Sequence, residues 1–259
     1  MERKWLKLII YSAFAGICIG FAAILYLYGL SLIKPLETGI WEKSVAGLLF
    51  GFGLFFVIVM EYKLFTGMVA RLADMKPKEW FQLVVCYVFN TLAILVLSLL
   101  VWAMQNSVSE AVIAKAVAVT EGKLANDLFG SFVSAMFCGM MITFAVTSHQ
   151  KARGKGLSGT LGIIFPVLLF VYMGFEHCIA NQAYIFLAVI GKANIEPLRL
   201  LLFAAITALG NVAGGIIFPL LTKAAESLKK QKTPENAQEQ PVLQEVAAAE
   251  DVGEPGQRN

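Results

Sequence analysis

The chain has 259 residues, 58% of them apolar and only 15% charged, with a mean hydropathy of +0.71; soluble domains carry about a quarter charged residues, so lipid is the solvent for most of this sequence. The net charge is only +3 and the basic residues sit between apolar runs without forming a stripe, which argues against nucleic acid as a partner. Cys18, Cys86, Cys138 and Cys178 all fall inside apolar runs without CxxC spacing, the usage of small buried hydrophobes and not of a metal or redox centre.

Six runs reach the roughly 20 residues that a membrane-crossing helix needs: about 6 to 33, 44 to 73, 79 to 104, 124 to 148, 157 to 190 and 197 to 222. They predict an all-α membrane protein with six transmembrane helices over residues 1–224. The first run follows Arg3 and Lys4 but is too long for a signal peptide and lacks a small-residue cleavage site, so it counts as a span. It is rich in small residues (Ala13, Gly16, Gly20, Ala22, Ala23), as is the sixth (Ala208, Gly210, Ala213, Gly214, Gly215). Small side chains let helix backbones approach closely in lipid, so a tight bundle is predicted.

The second run is interrupted by Glu61-Tyr62-Lys63-Leu64-Phe65-Thr66-Gly67 and the fifth by Gly174-Phe175-Glu176-His177-Cys178-Ile179-Ala180-Asn181. Ionisable groups at that depth are expensive and mark a pathway. The third and sixth runs each carry one Asn in an apolar setting, Asn90 and Asn211. Interruptions and amides at matching places in two three-span halves predict an inverted repeat with broken second and fifth helices.

Orientation follows from Lys and Arg, which are in excess on cytoplasmic loops. With the N-terminus inside, the inner segments hold Arg3, Lys4, Lys7, Arg71, Lys76, Lys78, Lys151, Arg153, Lys155 and Lys223, and the outer ones only Lys34, Lys43, Lys115, Lys123, Lys192 and Arg199. Both termini are therefore expected in the cytoplasm. Trp5, Trp41, Trp80 and Trp102 fall near the span ends, where amphipathic rings settle. Beyond the sixth run, Lys223, Lys229, Lys230 and Lys232 lead into a Glu-, Gln-, Pro- and Ala-rich stretch. Residues 225–259 are expected to be a disordered cytoplasmic tail, its basic cluster either solvated or drawn to anionic lipid.

Backbone broken at membrane depth leaves amides and carbonyls unpaired, which is tolerated only where they are buried in protein or line a wet cavity, so the breaks predict a cavity. Each second half-helix would present free N–H groups and a positive dipole end to that cavity, favouring an anion. A histidine's reference pKa lies near neutrality, so His177 is either a proton donor to a passing weak acid or a neutral ring bonded to Thr66 or to backbone. Glu176 is either paired with a cation or set in the cavity wall. Thr66 offers a hydroxyl, though Thr often bonds its own helix. Asn181, Asn90 and Asn211 are amides whose default use in spans is interhelical hydrogen bonding.

Leu64-Phe65-Thr66-Gly67, Phe175-Glu176-His177 with Ala180-Asn181, and Gly210-Asn211-Val212-Ala213-Gly214-Gly215 together resemble the formate/nitrite transporter family over roughly residues 5 to 222. The resemblance implies an aquaporin-like six-helix protomer in a homopentamer with one pore per subunit, in the cell membrane, passing a small anion such as formate, nitrite, hydrosulfide or lactate. It implies that His177 is the central pore histidine, that Thr66 bonds to it, and that Phe50, Leu54 and Phe170 line the pore, with Leu64 and Phe65 as the constriction on the cytoplasmic side. Lys123 corresponds to an anion-attracting lysine when Cys138 to Val146 (CGMMITFAV) is set against the family's CNWLVCLAV; on its own it reads as an interfacial lysine. Three positions depart: Gly139 stands where the family has Asn, Lys63 where it has an acid, and Met68 where it has Asn, changes that alter the field felt by the permeant.

No enzyme, cofactor or metal is expected, since histidines at 149 and 177 alone supply no haem or metal centre. The rival reading is a neutral-solute channel of the water and glycerol type, which would normally show Asn-Pro-Ala at two half-helix starts; neither copy is present. A bare anion pays heavily to cross an apolar slit, so the expected mechanism concentrates the anion, protonates it near His177 and passes it as the neutral acid.

Overall fold

A computed structural model describes residues 2–32, 40–152 and 156–250, and among these it is helical with no strand. Nine α-helices follow in order: α1 Glu2–Leu32, α2 Ile40–Val59, α3 Phe65–Val69, α4 Phe81–Ala103, α5 Ser107–Leu124, α6 Leu128–Lys151, α7 Leu157–Tyr172, α8 Cys178–Ile190 and α9 Pro197–Glu250. Arg3–Leu32, Pro77–Ala103, Leu128–Lys151 and Pro197–Leu228 are each long and apolar enough to cross a membrane. The runs 44 to 73 and 157 to 190 instead hold two helices each, α2 with α3 and α7 with α8.

The chain divides into two compact units, Met1–Phe218 and Pro219–Asn259. In the first, α1 packs on α2 and α4, α6 on α7, α2 on α7, and α8 on α4 and α5. In the second, the stretch expected to be disordered from residue 225 is helical backbone as far as Glu250; its Ala, Glu, Gln and Lys are strong helix formers. Lys34, Arg153, Lys155 and residues 251–259 lie outside the described residues, as does the side chain of Trp41.

One helix escaped the sequence reading. Residues 105 to 123 were expected to connect two spans, yet most of them form α5. Asn106 caps it, its Oδ1 accepting from the Ser109 N–H at 3.0 Å, which offsets an otherwise unpaired amide at the helix start. Val112, Ala116 and Thr120, spaced by four, are buried with Ser109, so one face packs inward although apolar and polar residues are barely segregated along the helix, and the stretch is too polar to span lipid.

The small residues do bring backbones together. A Cβ added at Gly16 would strike the Asn90 carbonyl oxygen and lie 2.9 Å from the Asn90 Cα. At Gly139 it would strike the Asn211 carbonyl and lie 2.9 Å from the Gly215 nitrogen. Both neighbours are backbone and cannot swing aside. Gly139→Ala should therefore push α6 from α9 and lower stability by about 1–3 kcal/mol, the usual cost of overpacking, read as an earlier thermal transition of the detergent-solubilised protein; an unchanged transition would show that the contact has room to give.

Candidate functional site

The two helix breaks are built alike. Helix α7 closes with Phe175 N–H bonding to Phe170 C=O at 2.9 Å and Gly174 N–H to Val171 C=O at 3.0 Å, with Gly174 at φ 71°. This is the Schellman arrangement, which needs a left-handed residue and favours Gly. Helix α2 closes the same way, through Tyr62 N–H to Val57 C=O at 2.9 Å and Glu61 N–H to Ile58 C=O at 3.2 Å, but with Glu61 in the left-handed position at φ 56°.

An asparagine then clamps each break. Asn90 on α4 accepts from the Phe65 N–H at 2.9 Å and donates to the carbonyls of Lys63 at 3.0 Å and Ser12 at 2.7 Å. Asn211 on α9 accepts from the Cys178 N–H at 2.8 Å and donates to Glu176 at 2.8 Å and Ala135 at 2.7 Å. Each amide therefore holds the carbonyl of one residue and the N–H two positions later, and pins both to a neighbouring helix. By this correspondence Lys63 matches Glu176 and Leu64 matches His177.

The breaks meet through their side chains. Thr66 Oγ1 and His177 Nε2 are 3.1 Å apart, and each residue is only 2% exposed. His177 is also the N-cap of α8: its Nδ1 accepts from the Ala180 N–H at 3.0 Å. A nitrogen that accepts carries no proton, so the neutral ring holds its hydrogen on Nε2 and donates it to the Thr66 hydroxyl. Phe170 stacks on the ring at 5.8 Å with 17° between planes, and Phe50 meets it edge-on at 6.4 Å and 69°.

On one side Glu176, 2% exposed, pairs with Lys123 at 2.7 Å. The same carboxylate oxygen accepts from Asn181 Nδ2 at 3.0 Å, while Asn181 Oδ1 is buried without a partner. Lys123 lies in the last turn of α5 and reaches over the Tyr184 ring at 5.9 Å.

Three spaces border these groups. A vestibule of about 510 Å³ is bounded by Lys43, Lys115, Lys123, Glu176 and Tyr26. It shares Tyr26, Lys123, Val171 and Gly174 with a central void of about 30 Å³, lined also by Phe50, Phe170, His177, Asn181 and Tyr184. A void that size holds about one water. The opposite vestibule, about 180 Å³, is lined by Leu54, Leu64, Glu61, Lys63, Arg71 and His149. It shares no lining residue with the central void. Leu54 and Leu64, each 1% exposed, face one side of that divide, and Phe50 and His177 the other.

The structure thus gathers His177, Thr66, Phe50 and Phe170 at one point, with Glu176, Asn181 and Lys123 beside them and Leu54 and Leu64 just beyond. Phe65 departs from expectation: it turns edge-on to Tyr87 at 5.1 Å and lines neither the void nor the smaller vestibule. Asn90 and Asn211 are buried clamps and line none of the three spaces. The sequence reading passed over Tyr26 and Tyr184, hydroxyl-bearing rings inside apolar stretches, and that placement was the available signal. Among the described residues no cluster of His, Cys, Asp or Glu has the arrangement of a metal site.

Residues 1–225 match the family model described as formate/nitrite transporter. The chain is 26% identical to the formate channel FocA of Haemophilus influenzae, over 78% of this chain and 80% of that protein. It is 27% identical to the formate channel FocB of Escherichia coli, over 70% of this chain and 66% of that one. Among solved structures, a pentameric formate channel with formate bound superposes with a TM-score of 0.80 at 23% identity, covering 88% of this chain and 99% of the other. An ion channel of the FNT family superposes at 0.73, also at 23% identity, over 82% and 87%. These two likenesses are of fold.

Proposed function

The chain belongs to the formate/nitrite transporter family, and from that premise we propose that it is a multi-pass membrane channel, not an enzyme, and conducts small monovalent anions of weak acids, formate and nitrite among them. We infer six crossings, with α2 and α3 sharing the second and α7 and α8 the fifth, related as an inverted repeat. The subunits form a homopentamer in the cell membrane, each with its own pore and both termini cytoplasmic.

The observation that carries the reading is the Thr66–His177 contact, with Phe170 stacked on the imidazole and Phe50 edge-on to it, between a void and a vestibule that share no lining residue. A formate ion leaving Lys123 at the void passes Phe50 and Phe170, then Leu54 and Leu64, before it meets Lys63 and Arg71 of the opposite vestibule. A bare charge pays several kcal/mol among those apolar side chains, and a neutral acid far less. Lys123 and the other lysines of the larger vestibule raise the local anion concentration, and protonation then precedes the crossing.

The bonding of His177 narrows the proton source. Its Nδ1 is occupied by the Ala180 N–H, and surrendering the Nε2 hydrogen would leave an imidazolate. The proton therefore comes from bulk solvent as hydronium relayed through vestibule water, which leaves no hydroxide at the site. The ring and the Thr66 hydroxyl then hold the acid in place through hydrogen bonds. Formate flux into proteoliposomes, measured across pH, tests this: His177→Asn should slow the rate by about tenfold, the worth of one well-placed hydrogen bond, while the shape of the pH response is kept. An unchanged rate would remove the imidazole from the mechanism, a lost pH response would make it the proton donor, and glycerol flux exceeding formate flux would favour the neutral-solute reading.

A further inference from the structure

At the end of the molecule where α1 and α4 begin, an open cleft of about 570 Å³ is lined by Lys4, Trp5, Lys7, Lys63, Lys78 and Glu79, with Leu8 and Gln82. Four cations thus surround one carboxylate. That carboxylate is already engaged, since Glu79 Oε2 accepts from the Lys76 N–H at 3.1 Å. The cleft sits at the height where two apolar runs start, near residues 6 and 79, and Trp5 meets Phe81 edge-on at 6.0 Å there. An indole at that height marks the boundary between headgroups and acyl chains. Below it the flanks are greasy and open: Leu6 is 58% exposed, Phe81 62% and Val84 56%. Positive charge over an exposed apolar flank is the complement of an anionic phospholipid, phosphate above and acyl chain below.

Lys63 links this cleft to the conduction path. Its main chain is fixed, with its N–H on Tyr11 C=O at 3.2 Å and its carbonyl held by Asn90 and by the Cys86 thiol at 3.1 Å. Lys63 borders both the cleft and the 180 Å³ vestibule.

We propose that the cleft formed by Lys4, Lys7, Lys63 and Lys78 binds the phosphate of an anionic phospholipid, and that the lipid, by drawing Lys63 to itself, lowers the positive charge that the adjoining vestibule offers to anions. The second part rests on the channel reading above; the first does not. Binding is tested on the full chain with Trp41, Trp80 and Trp102 replaced by Phe, leaving Trp5 as the reporter, in vesicles of phosphatidylcholine and phosphatidylglycerol. Brominated phosphatidylglycerol should quench Trp5 at least about twofold more than brominated phosphatidylcholine at equal mole fraction, since each lysine near the surface favours the anionic lipid severalfold. The preference should vanish in K4Q/K7Q/K78Q with helicity unchanged. Equal quenching by both lipids in the parent, or a preference that survives the triple substitution, overturns the site. Glycerophosphate at millimolar concentration should leave the preference intact; full competition would identify a soluble phosphate site and overturn the lipid assignment.

Coupling is read separately as formate flux in the same vesicles. Raising the phosphatidylglycerol fraction should reduce saturable flux by about twofold or more in the wild type, against an unresponsive Lys63→Met. The same lipid response in both overturns the role of Lys63. A wild type that passes no formate or nitrite in any lipid would sink the channel reading and with it the coupling, while the quenching result stands or falls independently.

Discussion

Asn211→Ala is expected to cost about 2–6 kcal/mol, because it strands two buried backbone groups at once and each unpaired group costs about 1–3 kcal/mol. The Cys178 N–H and the Glu176 carbonyl lose their partner together, and the tie to the Ala135 carbonyl of α6 goes with them. Side-chain hydrogen bonds between intact membrane helices are worth less than this, since an unpaired side chain finds another partner. Here the stranded groups belong to the main chain of a break, where neither α7 nor α8 can re-form a helical bond without dissolving the turn that presents His177. The loss is comparable to the 5–15 kcal/mol that holds an ordinary domain together. Asn211→Ala should yield little folded protein on size exclusion in detergent, and what survives should melt far below wild type. Asn211→Asp keeps an acceptor for Cys178 but surrenders both donations and adds a charge, so it should fare no better. Asn90→Ala should behave like Asn211→Ala, the two sets of bonds being alike. A transition for Asn211→Ala within a few degrees of wild type would mean that the amide does not hold the break.

The pairing of Asn90 and Asn211 shows how much was legible beforehand. A single amide in each of two apolar runs, and a polar interruption in each of two others, were visible as a pattern; that each amide closes the interruption of a different helix required coordinates. Gly174 announces a left-handed turn by its residue type, whereas Glu61 adopts the same conformation without any such sign, held by the bonds of Tyr62 and by the Asn90 clamp. His177 stood out as an imidazole at membrane depth, but its second task as the cap of α8 depends on Ala180 N–H pointing at Nδ1, a matter of rotamer. Phe65 and Leu64 are adjacent and equally apolar, yet only Leu64 reaches a vestibule. Composition cannot distinguish neighbours whose side chains leave the backbone in different directions. Helix α5 was hidden for another reason: its residues are too polar for lipid and its buried face, Ser109, Val112, Ala116 and Thr120, is half polar. Its discovery changes the setting of Lys123, which is anchored by a helix packed against α8.

Lys123→Met should be the second severe change, and its severity comes from Glu176 more than from the lost attraction for anions. With the ammonium gone, a carboxylate 2% exposed retains only the Asn181 amide. Removing one member of a buried pair typically costs 3–5 kcal/mol because a charge is left without compensation. Glu176→Gln reverses the problem, leaving Lys123 unmatched, but Lys123 is 17% exposed and opens onto the vestibule, so water relieves it and the loss should be smaller. The double variant Lys123→Met/Glu176→Gln removes both charges and can keep the Asn181 contact. It should recover most of the stability, giving a coupling of about 2 kcal/mol or more in a double-mutant cycle of thermal or denaturant unfolding. Flux separates the second role. If Lys123 also concentrates anions, the double variant folds normally yet needs several times more formate to reach half its maximal rate, as expected when one cation is removed from a vestibule mouth. Additive stabilities would show that the 2.7 Å contact carries no net energy, and a double variant with wild-type concentration dependence would confine Lys123 to holding Glu176.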